Sequence, residues 1–347
     1  MTKNSNCFGA GADDARTGVY RLNNYTNYIK KNEWWFNPGE TQYRSAGTYT
    51  WVCPPGVTQV SAVCIGGGGG GGQNWANDAG GSGGLGWKNN ISVTPGNSYT
   101  VVVGTRGYRS SNQRGGKSYF ISDSTVCGGG GGSQNGQSDF QSNSTNEGYG
   151  GGWSGDGGGS GRGNSGWSES CGAGGYQGQG GRGSQAEQAG GGGGAGWAHS
   201  STHGVGSGGG TGWYGKSTSH GRAGITIGGA DNSTYGSWNN HWSANHSGLG
   251  GEGGSKAQGA YSNFKSGWDG VCGENGWGFG RGGNSIVGGW PGGGGGGAGT
   301  SQGGGNGAHG AVRIIWTGEK YVTSRSFPST NCQEFDPAQG YQINTGS

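Results

Sequence analysis

Uninterrupted glycine runs constrain this chain more than any other feature of its sequence. The longest runs span residues 66–72, 128–132, 190–194 and 292–297, and 96 of the 347 residues are glycine. Ordering a glycine costs more backbone entropy than ordering any other residue. A structureless segment of this length is nevertheless uncommon inside a compact domain. The glycine runs are therefore either flexible linkers or segments that pack on one another through backbone hydrogen bonds.

The rest of the composition favours the packed alternative. Charged residues make up 11% of the chain and aromatic residues another 11%, including 15 tryptophans. Disordered segments are typically rich in charge and poor in aromatic residues, so this balance differs from theirs. The formal net charge is +3, and the basic residues are scattered along the chain. Scattered charge argues against a nucleic-acid partner and against an anionic membrane surface.

No segment has the pattern that targets a chain to a membrane or crosses one. No apolar stretch follows Met1, and no long apolar run occurs, so we expect neither a secretory signal nor membrane insertion. The cysteine count is odd and no C-x-x-C pair occurs, which argues against a zinc site. We expect free, mostly buried thiols in a protein made in a reducing cytoplasm. The cysteines are Cys7, Cys53, Cys64, Cys127, Cys171, Cys272 and Cys332.

Short runs of β-branched and aromatic residues predict an all-β fold with little or no α-helix. A last strand is predicted at residues 311–316, and three hairpins precede it. About six or seven strands with turn signals are typical of a β-sandwich or jelly roll. If the last strand completes the same sheet, residues 128–309 form an insertion whose ends lie close together. The hairpins are predicted from residues 48–53 with 57–65, 91–94 with 98–103, and 118–121 with 124–127.

Packed polyglycine II helices would give the glycine runs an ordered conformation. Such a helix has three residues per turn, rises about 3.1 Å per residue and has no internal hydrogen bonds. Its N–H and C=O groups point outward in several directions, where neighbouring helices can satisfy them. Only glycine lets backbones approach on every side. We therefore expect a larger residue inside such a bundle to be excluded sterically.

The order of strands and glycine runs resembles a known architecture. The pattern consists of a strand and the ranges 66–72, 98–104, 118–121 and 126–132, followed by long glycine segments and residues 310–316. It resembles the glycine-rich, TNF-like module in the ectodomains of anaplastic lymphoma kinase and leukocyte tyrosine kinase, where a jelly roll carries inserted polyglycine helices. Glycine-rich adhesins of some phage tail fibres use similar packing. The chain is more similar still to glycine-rich virion proteins of tailed phages, particularly those of marine cyanobacteria. The residues that carry this closer resemblance are 47–57, 63–72, 95–104, 310–316 and the tail segment 325–331.

This resemblance implies a jelly-roll (TNF-like) β-sandwich over residues 47–316, with a bundle of polyglycine II helices inserted at about 128–309. Residues 1–46 are then an N-terminal docking segment, and residues 317–347 a C-terminal tail. The implied function is that of a non-enzymatic virion protein, a fibre or appendage component made in the host cytoplasm and released by lysis. The implied partners are other virion proteins, further copies of the chain (a trimer by analogy), and a host surface polysaccharide.

The segment before the sandwich is rich in aromatic residues. Tyr25, Tyr28, Trp34, Trp35 and Phe36 lie close together in it. It is either a strand packed on the sandwich or a docking segment for a partner. We favour docking, because the segment lies outside the part of the chain that carries the resemblance.

Aromatic residues in glycine-poor interruptions are the candidate binding residues. Residues that leave a glycine bundle form loops at its ends, and loops on a rigid scaffold often carry recognition. Tyr, Trp, Ser and Asn also suit adaptable recognition. We therefore predict contacts with a host glycan; the alternative is that these aromatics only cap the glycine helices and supply apolar area. The predicted contact residues are Tyr235, Trp238, His241, Trp242, Tyr261, Phe264 and Trp268.

No pattern in the sequence predicts catalysis, a cofactor or a metal site. Phosphate-loop strings recur by chance in glycine-rich sequence, and none lies between a predicted strand and a helix. His199 and His203 have the spacing of helical metal ligands, but no helix is expected there. Two alternatives to the adhesin stay open. One is a purely architectural filament or decoration protein without a ligand. The other is an ice-binding protein, although its regular short repeats are missing from this chain.

Overall fold

The computed structural model of the chain is all-β. It describes residues 39–71, 80–108, 113–133, 138–140, 150–163, 172–176, 178–180, 210–211, 292, 306–316 and 326–327. No helix occurs among these residues, and hence none that is long and apolar enough to cross a membrane. The expected lack of α-helix therefore holds across the part of the chain that the structure describes.

Ten strands form two antiparallel five-stranded sheets that pack as a β-sandwich. Sheet A has the order β1-β10-β3-β4-β9, and sheet B has the order β2-β5-β6-β7-β8. The strands are β1 Gly39–Tyr43, β2 Gly47–Val52, β3 Gln59–Ile65, β4 Leu85–Ser92, β5 Ser98–Val103, β6 Ser118–Phe120, β7 Val126–Gly128, β8 Trp153–Ser154, β9 Gly157–Gly159 and β10 Ala311–Trp316.

Alternating apolar and polar side chains place the main core between the two sheets. In β2, Trp51 is buried whereas Thr50 and Val52 are exposed, because successive side chains of a strand point to opposite faces. The Trp51 ring lies 5.6 Å from the ring of Phe120 and 6.0 Å from that of Trp316, between centroids. Phe120 belongs to sheet B and Trp316 to sheet A, so this aromatic cluster joins the two layers.

Two of the three predicted hairpins are wrong. Three of their four strands exist close to the predicted ranges, whereas the strand predicted at 91–94 is Leu85–Ser92 and shares only residues 91–92 with the prediction. β2 pairs with β5 in sheet B, and β3 pairs with β4 in sheet A. The turns β2–β3 and β4–β5, predicted to close hairpins, therefore connect one sheet to the other. The two connections cross the sandwich side by side: Cys53 exchanges hydrogen bonds with residues 96–97, and Val93 N–H donates to Thr58 O. Turn residues such as Pro55 mark a change of direction, but they do not specify which sheet receives the next strand.

The third predicted hairpin and the last predicted strand are confirmed. β6 and β7 pair antiparallel through residues 118–120 and 126–128. β10 lies between β1 and β3. The last strand is therefore interior to sheet A, although it follows the long glycine-rich part of the chain.

Three strands lie where the sequence analysis placed none. β1 falls within the segment 1–46 assigned to docking and pairs with β10; the part of that segment before residue 39 lies outside the described residues. β8 and β9 fall within the range 128–309 assigned to an insertion, where they extend sheet B and sheet A. β9 consists of three glycines, so it has no side-chain pattern that indicates a strand.

Sheet A has a second core on its outer face. Tyr176 and Phe327 cover this face, and their rings stack with centroids 5.8 Å apart. Arg313 of β10 is fully buried on the same face and forms an ion pair with Glu40 of β1. The apolar residues beneath the cover are Val63, Ile65, Leu85, Ala311 and Ile315. Segments from the glycine-rich region and from the C-terminal tail thus complete the fold.

All four long connections leave the sandwich at the same end. They join β3 to β4, β5 to β6, β7 to β8 and β9 to β10. The connections at the opposite end are short. Pairing of β1 with β10 sets Gly39 opposite Trp316 at that second end, so the chain before residue 39 and the chain after residue 316 both join the sandwich there. We call these two ends the network end and the terminal end.

Candidate functional site in the glycine network

The described residues of the four long connections form a hydrogen-bonded body at the network end, which we call the glycine network. Most of its residues are glycine and buried. Its backbone N–H groups donate mainly to carbonyl oxygens of other segments. The network comprises residues 66–71, 80–84, 104–107, 113–117, 129–133, 138–140, 150–152, 160–163, 172–175, 178–180, 292 and 306–310.

Hydrogen bonds of the first network segment repeat every three residues. The N–H groups of Gly66, Gly67 and Gly68 donate to three different neighbouring segments. Gly69 then donates to the same segment as Gly66, and Gly70 to the same segment as Gly67. A return to the same neighbour after three residues requires a backbone with about three residues per turn. In order, the acceptors are the carbonyl oxygens of Gly84, Gly116, Ala308, Gly81 and Gln113, at N···O distances of 2.9, 2.9, 2.8, 2.8 and 3.0 Å.

The same three-residue period recurs between other pairs of segments. Gly81 and Gly84 both donate to the segment 129–133, and Gly307 and Gly310 both donate to the segment 104–107. In each pair the acceptor number falls by three as the donor number rises by three, so the segments run antiparallel. The acceptors are the carbonyl oxygens of Gly132, Gly129, Gly107 and Gly104, respectively.

Backbone contacts inside the network leave no space for a side chain at many glycines. A Cβ atom added to Gly130 would lie 1.9 Å from the carbonyl oxygen of Gly115, and one added to Gly104 would lie 1.8 Å from that of Gly116. Such distances are far inside van der Waals contact. The Gly116 oxygen accepts a hydrogen bond from Gly67 N–H, so it cannot move without breaking the network.

Next to the network, the Arg106 side chain contacts the ring of Tyr108 and the Arg106 backbone contacts the ring of His309. The guanidinium carbon of Arg106 lies 5.2 Å from the ring centroid of Tyr108, and the Tyr108 side chain is exposed. The backbone N–H of Arg106 donates a hydrogen bond to Nδ1 of His309, with an N···N distance of 3.2 Å. We call Arg106, Tyr108 and His309 the Arg106 cluster. Two segments that are distant in sequence supply it, and the antiparallel pairing of residues 104–107 with 307–310 holds them together.

The environment of His309 keeps its ring neutral near neutral pH. Burial and, to a lesser extent, the positive charge of Arg106 lower the pKa of His309 below the ordinary value of 6.5. Because Nδ1 accepts the Arg106 N–H, the proton of the neutral ring resides on Nε2. The cluster therefore presents one fixed cation, a hydrogen-bond donor on His309 and an aromatic ring.

The other described basic residues of the β5–β6 connection have carboxylate partners. Lys117 Nζ lies 2.8 Å from Asp123 Oδ2, and Arg114 Nη2 lies 3.9 Å from Asp139 Oδ1. The hydrogen bond with Asp123 raises the pKa of Lys117, and the same bond lowers the pKa of Asp123. Among the described residues, no carboxylate forms such an ion pair with Arg106.

The Arg106 cluster was not predicted from the sequence. Residues 105–117 contain Arg106, Arg109, Arg114 and Lys117 but no acidic residue, and this local charge excess was a usable signal. The proximity of His309 was not readable from sequence, because that residue lies far along the chain.

The predicted glycan-contact residues lie outside the described residues, so their role in binding stays a prediction. The same is true of the aromatic residues in the N-terminal segment and of His199 and His203. The stretch that carries the predicted contacts runs from residue 212 to 291. It returns to the network at Gly292, whose N–H donates to His309 O and whose carbonyl accepts from Gly83 N–H.

The three cysteines that the structure describes are free and buried, as predicted for them. Burial raises the pKa of the Cys64 thiol well above its usual value and that of Cys127 to about 12. Burial also raises the pKa of Cys53, whose Sγ donates to Val57 O at 3.1 Å. Thiols in this state are poor nucleophiles and poor metal ligands. The remaining four cysteines lie outside the described residues.

No protein-family model matches this chain, and no curated protein matches it. The class that the structure defines is an all-β protein whose two antiparallel five-stranded sheets form a sandwich with a glycine network at one end.

Proposed function

We propose that this chain is a structural protein of a tailed-phage virion, a fibre or appendage component that binds a host surface glycan through loops of the glycine network. The observation that carries the proposal is the two-ended layout of the fold. The chain enters and leaves the sandwich at the terminal end, and the four long connections extend from the network end. This layout suits a module that is attached through its terminal segments and presents its loops to a distant surface.

We also propose the finer architecture that the resemblance implies, a TNF-like jelly roll with polyglycine II helices. The paired crossing connections between the two sheets are compatible with jelly-roll topology. The three-residue hydrogen-bond period and the excluded Cβ positions support polyglycine II geometry. Network segments also precede residue 128, so the proposed bundle draws on four connections and not only on one insertion.

The proposed glycan contacts are the aromatic residues predicted from sequence, in particular Trp238 and Trp242. They belong to the stretch that rejoins the network at Gly292. Sugar rings present C–H faces that stack on Tyr and Trp, whose polar atoms can bind the hydroxyl groups. The proposed protein partners are other virion proteins, through the segment before residue 39, and further copies of the chain.

A specific observation also favours a second candidate, a purely architectural protein without a ligand. The described network satisfies its own backbone groups over many segments and leaves no space for a side chain at many of its glycines. A rigid spacer needs these properties and no binding residues. The two candidates differ in one respect: only the first requires the aromatic residues of the stretch 212–291 for attachment to the host.

The test has two parts: the protein composition of purified virions, and the adsorption of variant particles to host cells. Mass spectrometry of purified virions should detect the chain, and its absence would overturn both candidates. Particles with Trp238→Ala and Trp242→Ala should adsorb to host cells at least about tenfold more slowly. Particles with Trp238→Phe and Trp242→Phe are the matched control and should retain most adsorption. Unchanged adsorption of the alanine particles would favour the architectural candidate.

A further inference from the structure

We propose that the Arg106 cluster is a binding site for an acidic sugar residue, one that carries a carboxylate or a sulfate. This inference rests on the proposed function and assigns it a ligand class and a site among the described residues. Arg106 and His309 lie on two antiparallel network segments, residues 104–107 and 307–310, and Tyr108 directly follows the first of them. Backbone hydrogen bonds of 3.0 Å from Gly307 to Gly107 and from Gly310 to Gly104 hold these segments together.

The exposed ring of Tyr108 supplies a stacking surface. Its side chain is 41% exposed, although the network next to it is buried. The Arg106 guanidinium lies 5.2 Å from the ring centroid, so a cation–π contact orients both groups. The C–H face of a pyranose can stack on the exposed part of such a ring, and the phenol hydroxyl can bind a sugar hydroxyl.

The charge of Arg106 indicates that the ligand is an anion. Arg114 and Lys117 of the same connection are matched by Asp139 and Asp123, whereas no described carboxylate pairs with Arg106. Its Nε atom is enclosed, so an anionic ligand would meet this guanidinium through its terminal N–H groups. Among the described residues no carboxylate neutralises its charge. A carboxylate or sulfate is the group that accepts charge-assisted hydrogen bonds from guanidinium with the best geometry.

His309 adds a donor without adding charge. Its Nδ1 is occupied by the Arg106 N–H, so Nε2 donates when the ring is neutral. A neutral sugar would leave the positive charge of Arg106 unmatched, and a cation would be repelled by it. A ligand with a ring face, hydroxyl groups and one anionic group matches the three side chains together.

The experiment measures binding of the full-length chain to immobilised polysaccharides. Dextran sulfate and neutral dextran have the same backbone, and polygalacturonate provides the carboxylate arm. We expect binding to at least one acidic polymer and none to neutral dextran. Arg106→Gln should weaken that binding at least about tenfold. Arg114→Gln removes the same charge from the same connection and should change it by less than about threefold.

Two further variants separate stacking from folding. Tyr108→Ala should weaken binding about fivefold, whereas Tyr108→Phe should stay within about threefold. All variants must unfold at the wild-type Tm. The inference would be overturned if Arg106→Gln and Arg114→Gln weakened binding to the acidic polymer equally. It would also be overturned if the chain bound single-stranded DNA as tightly as the acidic polymer. Either result would indicate a surface that binds polyanions in general.

Failure of this inference is distinguishable from failure of the proposed function. Particles that adsorb to host cells through the chain, while the chain binds neither acidic polymer, would overturn the acidic-sugar site alone. A chain that binds an acidic polymer through Arg106 but is absent from purified virions would overturn the virion function alone.

Discussion

The side chain of Asn89 forms two hydrogen bonds with the backbone of Phe327, 238 residues further along the chain. Asn89 Nδ2 donates to Phe327 O at 2.7 Å, and Phe327 N–H donates to Asn89 Oδ1 at 2.9 Å. The amide group thus pairs with the tail as a neighbouring strand would. It fixes Phe327 over the outer face of sheet A, where its ring stacks on Tyr176 and is 2% exposed. A segment assigned to a tail therefore contributes to the second core.

Loss of the Phe327 ring should release the tail and destabilise sheet A. We expect Phe327→Ala to lower the free energy of unfolding by about 3 kcal/mol, since a fully buried aromatic ring is removed. Asn89→Ala should cost about 1–2 kcal/mol, because two backbone groups of Phe327 lose their partners. Urea unfolding measures both. Asn97→Ala is the control, since the Asn97 side chain lies exposed in a turn; an equal effect there would contradict the docking of Phe327.

Two neighbouring glycines should differ sharply in their tolerance of alanine. A Cβ on Gly115 would lie 2.0 Å from the carbonyl oxygen of Gly67, whereas the nearest atom to a Cβ on Gly116 is Thr105 N at 3.0 Å. We expect Gly115→Ala to cost about 3 kcal/mol or more and Gly116→Ala about 1 kcal/mol or less. Thermal unfolding of the two variants measures the difference. Similar Tm values would show that the network tolerates side chains.

The buried ion pair between Glu40 and Arg313 should make β1 essential to the sandwich. Glu40→Gln removes one carboxylate from the fully buried Arg313 charge and should cost about 3 kcal/mol. Replacing both residues by Met should recover part of that loss, because the two charges of this pair are then removed together. Lys88→Met breaks the exposed ion pair with Asp156 and should cost less than about 1 kcal/mol. Equal effects of Glu40→Gln and Lys88→Met in urea unfolding would contradict the burial of the first pair.

Acidification should destabilise the native protein through His309. Burial and Arg106 lower its folded pKa, whereas in the unfolded chain the pKa is near the ordinary value. Below about pH 6.5 the unfolded chain therefore binds a proton that the folded protein binds only at lower pH, and the free energy of unfolding falls. His309→Gln keeps an acceptor for Arg106 N–H and should lose less stability between pH 7 and pH 5. Urea unfolding at a series of pH values measures the difference. If the free energy of unfolding falls equally in the wild type and in His309→Gln, this role of His309 is refuted.

Cys64 and Cys127 should resist alkylation while the protein is folded. Both thiols are fully buried, and with a pKa of about 12 for Cys127 only about one molecule in ten thousand carries its thiolate at pH 8. Iodoacetamide labelling followed by peptide mass spectrometry should leave both unmodified in native buffer and modify both in concentrated urea. Rapid labelling in native buffer would show that the network end opens.

Local patterns in the sequence were sufficient to locate most long strands. Apolar alternation around Trp51 and the β-branched run of β10 predicted strands that the structure contains. The β6–β7 hairpin was also predictable, because its two strands pair directly across a short turn. The charge excess of residues 105–117 was visible too, although its significance depends on His309.

Pairing between distant segments was not predictable from those patterns. A turn between two strands has the same residues whether the next strand joins the same sheet or the opposite one, so β2–β3 and β4–β5 were misassigned as hairpins. The glycines of β9 have no side chains to alternate.

The sequence alone restricts this chain to an all-β fold in which glycine backbones can meet closely, because both properties depend on residue type and short-range order. Which sheet each strand joins, which carbonyl each glycine N–H contacts, and the positions of Phe327 and His309 depend on contacts between residues far apart in the chain. Those contacts form only when the whole backbone satisfies its hydrogen bonds together.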